Sequence, residues 1–152
     1  MLLPVHNCFL PRQASEQSER VTVPRIASPV PLRELLENWA PTAAHTPLLV
    51  CEERSTAALP LLQALSKLAQ SRTATSDTAT ATDHGYHLAL LVGPEGGFSP
   101  AEKLLLKQSD VVTPVSLGTT ILRAETAAMY ALSCCCAFHS AASADVDEPH
   151  VP

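Results

Sequence analysis

Apolar residues recur along this chain with two spacings, one typical of amphipathic helices and the other of buried strands. Over residues 31–40, leucines and a tryptophan recur every three or four positions, which predicts a helix that begins at Pro31. Leucines at the same spacing predict a second helix over residues 57–69, with Pro60 in its first turn. A shorter, polar helix is predicted over residues 14–20.

Three short apolar runs predict buried strands, over residues 46–51, 87–92 and 111–117. A long helix is predicted to follow over residues 121–139. Strands that alternate with helices in this way favour an α/β fold with a mostly parallel sheet.

Two segments have a composition that does not favour a packed core. Residues 71–83 consist almost entirely of threonine, alanine, serine and aspartate, which predicts a mobile surface insert over 71–85. Residues 140–152 form an acidic tail that we expect to be disordered. The remaining chain, 1–139, is predicted to form one domain.

The charge balance limits how this chain alone binds nucleic acid. The net charge is −5, and only ten lysines and arginines are present among 152 residues. Because RNA affinity comes mainly from such cations on phosphates, we expect RNA binding by one chain to be weak or shared with a second subunit.

The five cysteines do not form a metal or disulfide pattern, because no CxxC pair occurs and Cys134, Cys135 and Cys136 are consecutive. They are interpreted as small buried side chains in a reducing compartment. No metal site and no membrane partner are predicted, and no transmembrane run or signal peptide is recognised. We therefore expect an intracellular protein of the cytoplasm or an organelle.

A glycine-rich turn follows the second predicted strand. Gly93 ends the strand, and Gly96 and Gly97 permit positive φ and close approach of a ligand to the backbone. Ser99 and Glu102 then have the spacing of a capping box around a helix that begins at Pro100. The spacing matches neither a GxGxxG fingerprint nor a P-loop, and a plain tight turn is the alternative interpretation.

The third predicted strand ends at a second glycine, Gly118, after which Thr119 or Thr120 is predicted to cap the final helix. Arg123 would then lie in the first turn, where the helix dipole disfavours a cation. It is either a solvated arginine or a guanidinium that faces an anionic oxygen.

Small and apolar residues recur at helical spacing along this final helix and predict a face that packs closely against the fold or a second subunit. They are Ile121, Ala124, Ala128, Ala131, Cys135 and Phe138.

These segments together resemble the ribosomal RNA small subunit methyltransferase E family of the SPOUT superfamily. The match covers residues 93–98 (GPEGGF), 116–118 (SLG) and 121–127 (ILRAETA). Upstream, residues 14–20 (ASEQSER), with Pro24 after them, resemble the family segment A-x-E-Q-x-x-R…P.

The resemblance implies a SPOUT-type α/β fold with a C-terminal trefoil knot, a homodimer, and S-adenosylmethionine (SAM) as cofactor. The cofactor would contact three loops that follow predicted strands. The residues implied are Cys51, Val92, Gly93, Pro94, Glu95, Gly96, Gly97, Ser116, Leu117, Gly118, Ile121 and Leu122.

The implied reaction is methylation of N3 of a uridine in small-subunit ribosomal RNA. Arg123 would stabilise charge on the uracil oxygens, and Glu125 or Glu95 would act as general base. For Glu95 we favour a role in orienting its loop.

The chain also departs from the family pattern. It shows no N-terminal RNA-binding domain, and Thr120 stands where the family commonly has a second arginine. The alternative function is therefore a non-catalytic or truncated homologue that keeps the dimeric knot and SAM binding. A related enzyme acting on transfer RNA fits the two motifs less well.

Overall fold

The computed structural model describes residues 9–42, 46–52, 58–73 and 87–144, and the chain divides into two compact units, residues 1–31 and residues 32–152. Sequence analysis predicts one domain over 1–139. The two units are therefore described separately.

The described part of the first unit, residues 9–31, contains one helix, α1 (Phe9–Gln17). It begins five residues earlier than predicted because Pro11 is tolerated in a first helical turn. The helix ends in a Schellman motif. The amide of Arg20 donates to the carbonyl of Ser15 (2.8 Å), and Glu19 has a positive φ of 56°. Residues 18–31 are irregular in secondary structure.

The second unit contains a four-stranded sheet and four helices within its described residues. In chain order they are α2 (Leu32–Thr42), β1 (Leu48–Cys51), β2 (Leu59–Pro60), α3 (Leu61–Thr73), β3 (Ala89–Val92), α4 (Pro100–Gln108), β4 (Val112–Ser116) and α5 (Ala124–Ala144).

All strand pairs in this sheet are parallel, and the strand order is β2-β4-β1-β3. The predicted α/β fold with a parallel sheet is therefore confirmed. β1 is central and buried along its whole length, whereas β3 forms one edge and is only half-buried. Along the chain, β1 is followed by β2 at one edge of the sheet and by β3 at the other edge. The last strand, β4, then lies between β1 and β2.

Alternate residues of β1 face two apolar layers. Leu49 and Cys51 belong to a cluster with residues of α3 and α5, and Leu48 and Val50 belong to a second cluster with Leu106 of α4. Residues of α2 pack against this second cluster. The sheet is therefore covered by helices on both faces, which explains why β1 reads as a continuous apolar run.

Two predicted boundaries differ because helices continue through residues with no helix breaker. The first residues of the predicted insert 71–85 form the end of α3, where the Ser71 hydroxyl donates to the carbonyl of Leu68 (2.9 Å). The insert from residue 74 onward lies outside the described residues. Likewise, α5 extends through five residues of the predicted tail 140–152, to Ala144, because alanine is the strongest helix former. Residues 145–152 are not described.

The helix predicted over residues 57–69 instead begins at Leu61, after the two-residue strand β2. This strand was not predicted, because two residues are too few for a sequence period. Its second residue, Pro60, tolerates the position because β2 is an edge strand of the sheet.

Candidate functional site

The candidate site is a cavity of about 290 Å³ at the carboxyl ends of three adjacent strands. Cys51 of β1 lies in register with Val92 of β3 and Val115 of β4, so the three strands end at the same edge of the sheet. The crevice beyond the carboxyl ends of parallel strands is the usual ligand position in open α/β sheets.

Five segments line the cavity among the described residues: the end of β1, the end of β3 with the loop that follows it, the first turns of α4, the loop after β4, and the beginning of α5. Their lining residues are Cys51, Glu52, Val92, Gly93, Pro94, Glu95, Gly96, Gly97, Phe98, Lys103, Ser116, Leu117, Gly118, Thr120, Leu122, Ala124 and Ala127.

The loop after β3 is a tight turn. The amide of Gly97 donates to the carbonyl of Pro94 (2.8 Å), and Gly97 itself has a φ of +69°. A left-handed residue here favours glycine, as the sequence pattern predicts. The loop therefore presents backbone groups and a glycine to the cavity.

The loop is followed by a complete capping box. The Ser99 amide donates to a Glu102 carboxylate oxygen (2.7 Å), and the Glu102 amide donates to the Ser99 hydroxyl (3.3 Å). The hydrogen bond from the Ser99 backbone lowers the pKa of Glu102 most, and the hydrogen bond with the Ser99 side chain lowers it further. The predicted cap is thus confirmed, and it fixes the direction in which the loop enters α4.

The loop after β4 is held by one serine. The Ser116 hydroxyl accepts from the amide of Gly118 and lies at the same distance, 3.2 Å, from the Gly118 carbonyl, to which it donates. Gly118 has a φ of +126°, a conformation that is essentially restricted to glycine. The sharp turn lets Leu117 and Gly118 both line the cavity.

The start of α5 differs from the prediction that Thr119 or Thr120 caps it. The helix begins at Ala124, and the carbonyl of Arg123 accepts the amide of Ala127 (2.8 Å), so Arg123 occupies the capping position. Thr120 instead lines the cavity.

The apolar face predicted for α5 is confirmed for those of its residues that lie in the helix. The buried residues Ala127 and Ala131 face the core, with Cys134, Cys135 and Phe138 packed beside them. The predicted face shares Ala131, Cys135 and Phe138 with this set. The other two helical members, Ala124 and Ala128, are half-buried. Ile121 departs from the prediction because the helix begins three residues after it, at Ala124.

Of the predicted cofactor-binding residues, all except Ile121 line the cavity. Ile121 is 54% exposed and lies outside the wall. The candidate catalytic residues Arg123 and Glu125 are exposed and also lie outside the wall, although their neighbours Leu122 and Ala124 line it. The structure therefore brings the predicted binding residues, Ile121 excepted, together around one cavity and leaves both catalytic candidates on the surface beside it.

The sequence did not identify several wall residues, among them Glu52 and Lys103. Together with Glu95 they give the wall two carboxylates and one ammonium group. One signal was available for Glu52, because it directly follows the last residue of β1. Lys103 lies one turn into α4, and a lysine on a helix is ordinarily interpreted as a solvated surface residue.

Cys51 contributes an apolar, neutral surface to the wall. It is buried, and burial, followed by the proximity of Cys135, raises the pKa of its thiol to about 11. Burial and then its cysteine neighbours also raise the pKa of Cys135. These thiols therefore remain protonated at neutral pH, which is typical of structural cysteines.

Two properties of the described ranges bear on the class of site. No group of three or more His, Cys, Asp or Glu residues there could hold a metal ion. Nor does any helix in those ranges combine the length and apolar character needed to cross a membrane.

Comparison with known proteins gives relatives that match over most of this chain. Ribosomal RNA small subunit methyltransferase E of Rickettsia conorii is 31% identical over 80% of the chain and 41% of the relative. The Bacillus subtilis protein of the same name is 34% identical over 80% of the chain and 42% of the relative. The chain thus spans less than half the length of these relatives.

A solved structure is similar in fold. It is a proposed methyltransferase from Legionella pneumophila in complex with the cofactor SAM, with a TM-score of 0.57 and 27% identity. The similarity covers 87% of this chain and 43% of that one. A family model described as an RNA methyltransferase domain matches residues 10–135, which include every segment that lines the cavity. Because the family model matches most of this chain, the chain belongs to the RNA methyltransferase domain family.

Proposed function

We propose that this domain transfers a methyl group from SAM to N3 of a uridine in small-subunit ribosomal RNA. The observation that carries the proposal is the cavity at the ends of β1, β3 and β4, whose walls are the glycine-rich segments characteristic of the family. The substrate class follows the names of the relatives, which are ribosomal RNA small subunit methyltransferases.

The cavity has the chemistry that SAM requires. Residues 93–97 and 116–118 offer loop backbone and glycines, which suit the donors and acceptors of an adenosyl group, and Leu122 adds an apolar contact. Charges of both signs on the wall suit a ligand that itself carries both. When bound, SAM supplies an electrophilic methyl group on a sulfonium centre.

The acceptor nitrogen of uridine carries a weakly acidic proton that must leave as N3 becomes the nucleophile. Negative charge then develops on the uracil oxygens, and Arg123 compensates it at the mouth of the cavity. Glu125, in the first turn of α5, accepts the proton. Glu95 on the wall orients the glycine-rich loop. A base that approaches from solvent meets exposed side chains first, so these surface positions fit the proposed roles.

We further propose that the chain adopts the trefoil knot and the homodimer implied by its resemblance. The insertion of β4 between β1 and β2, followed at once by α5, supports the knot. An apolar stripe on α5 supports the homodimer. Met129 (62% exposed) and Leu132 (55%) lie with Cys136 on the side opposite the core-facing residues. A helix that is apolar on both sides is expected to be buried on both sides.

The decisive experiment measures methyl transfer from labelled SAM to small-subunit ribosomal RNA and identifies the methylated nucleoside by mass spectrometry. Arg123→Ala should lower the rate by a factor on the order of 100 while the affinity for S-adenosylhomocysteine changes little. Lys67→Ala is the matched control, because Lys67 is an exposed cation on α3 that does not line the cavity.

The outcomes separate the components of this proposal. No binding of S-adenosylhomocysteine and no transfer would refute the function. Binding without transfer to any RNA would favour the non-catalytic homologue. A methyl group on another atom would refute the N3 assignment alone. An unchanged rate in Arg123→Ala would remove that residue from the mechanism.

The homodimer is tested by sedimentation of Leu132→Glu. A charge in the apolar stripe should convert dimers to monomers, because an unpaired carboxylate cannot be buried without a large cost. Leu62→Glu on α3, equally exposed at 56%, is the control. A wild-type monomer at all concentrations would refute the dimer.

A further inference from the structure

Among the described residues that line the cavity, Lys103 is the single basic side chain. It faces the same space as two carboxylates, Glu52 and Glu95. Within the described ranges, Lys103 forms no ion pair, because the two salt bridges found there lie on α1 and α2. Its ammonium group is thus available to a ligand.

The backbone of Lys103 is held in place by the start of α4. Its amide donates to the carbonyl of Ser99 (2.9 Å), and the capping box fixes the residues immediately before it. A lysine in the first turns of a helix is disfavoured by the helix dipole. The position is therefore electrostatically unfavourable for a lysine with no anionic partner, and an anion bound in the cavity would offset that cost.

We propose that Lys103 binds the carboxylate of the amino-acid moiety of SAM. This inference rests on the proposed function, since it assigns one group of the same ligand. The sulfonium and ammonium groups of SAM would then be matched by the carboxylates of Glu52 and Glu95. The wall, with two negative charges and one positive, is complementary to a ligand with two positive charges and one negative.

The charges of the wall favour this ligand over an RNA phosphate. A phosphate held by Lys103 would share the cavity with two carboxylates, and like charges at such distances disfavour binding. The hydroxyl side chains of the wall, Ser116 and Thr120, are neutral and cannot compensate a polyanion. The amino-acid carboxylate, in contrast, is the one anionic group of SAM, and the two cationic groups of the same ligand match the carboxylates of the wall.

The test is calorimetric titration of the wild-type chain and of Lys103→Ala with two ligands. S-Adenosylhomocysteine carries the amino-acid carboxylate, whereas 5′-methylthioadenosine keeps the adenosyl thioether and lacks it. Lys103→Ala should lose about tenfold in affinity for the first ligand and none for the second. Lys103→Arg should restore most of the loss.

Lys107→Ala is the matched control. Lys107 lies one turn further along α4, is exposed and does not line the cavity, so its removal changes the net charge equally. It should bind both ligands as the wild type does.

Each outcome decides between the possibilities. Equal affinities of Lys103→Ala and wild type for S-adenosylhomocysteine would overturn the inference and leave the proposed function intact. A loss of RNA affinity in that variant, with unchanged S-adenosylhomocysteine affinity, would assign Lys103 to a phosphate instead. Equal losses for both ligands would overturn the inference, because Lys103 would then support the site as a whole and not the carboxylate. Absence of binding by the wild type would overturn the proposed function together with the inference.

Discussion

A β-carbon added at Gly93 would lie 3.1 Å from Cε2 of Phe98 and 3.3 Å from its Cζ. The aromatic ring at the end of the loop therefore rests against the backbone at its beginning. Phe98 also packs against the apolar cluster that includes Leu48 and Val50. This contact closes the glycine-rich loop on itself and anchors it to the sheet.

Gly93→Ala should consequently displace the ring by a few tenths of an ångström. We expect a loss of about 1 kcal/mol in the free energy of unfolding and weaker binding of S-adenosylhomocysteine. Chemical denaturation and calorimetric titration measure the two effects. Gly96→Ala is the control, because a β-carbon there meets no atom within 4 Å. A Gly93→Ala variant as stable as Gly96→Ala would show that the ring moves freely.

The two glycines with positive φ should respond differently to asparagine. Gly97 has a φ of +69°, in the left-handed region that asparagine tolerates, so Gly97→Asn should cost less than about 1 kcal/mol. Gly118 has a φ of +126°, which only glycine adopts readily, so Gly118→Asn should cost about 1–3 kcal/mol. The shift of the denaturant midpoint, at an unchanged m-value, measures the loss of stability in each variant. Equal losses at the two positions would contradict the assigned conformations.

The capping box should make stability depend on pH in one direction. The pKa of Glu102 is lowered from 4.5, so its contribution is complete above that pH and is lost as the pH falls through the lower folded value. Glu102→Ala should therefore lower Tm by a few degrees at pH 7, and the difference should shrink under acid conditions. Glu102→Gln keeps an acceptor without a titrating carboxyl, so its Tm deficit should not shrink in this way. A difference in Tm between Glu102→Ala and the wild type that is independent of pH would argue against the ionised cap.

Cys51 should be the slowest of the described cysteines to react. Its pKa of about 11, against an ordinary value of 9.0, leaves roughly one hundredth of the usual thiolate fraction near neutral pH. Peptide mapping after alkylation at pH 8 should show Cys136, which is exposed, modified first. Because the fold favours the neutral thiol, stability should fall as the pH rises from about 9 towards 11. Alkylation of native Cys51 as fast as Cys136 would refute its burial.

The sequence predicted those parts of the fold that local chemistry determines. Ser99, Pro100 and Glu102 specified the start of α4 because capping depends on neighbouring residues alone. The start of α5 was misplaced because Thr119 and Thr120 satisfied the same local rule. The turn at Gly118, held by Ser116, instead carries the chain on to Arg123 before the helix begins.

The parts of the site that consist of backbone could be predicted from the sequence. The parts that depend on side chains were less predictable. The glycines of both loops indicated the wall directly, and the positive φ expected in the Gly96-Gly97 pair is found at Gly97. Lys103 was missed because its relation to the cavity depends on how α4 lies against the sheet. No spacing along the chain encodes that tertiary arrangement.

The position of β4 between β1 and β2 has a consequence for how the protein is made. The cavity needs β1, β3 and β4 side by side, and its last wall residue, Ala127, lies in α5. During synthesis, a chain that has emerged only as far as α4 has an incomplete sheet and no enclosed site. The ability to hold a ligand should therefore arise in one late step of folding, after long-range strand pairing that is intrinsically slow. A ligand present at that step would bind only completed molecules and draw the folding equilibrium towards them.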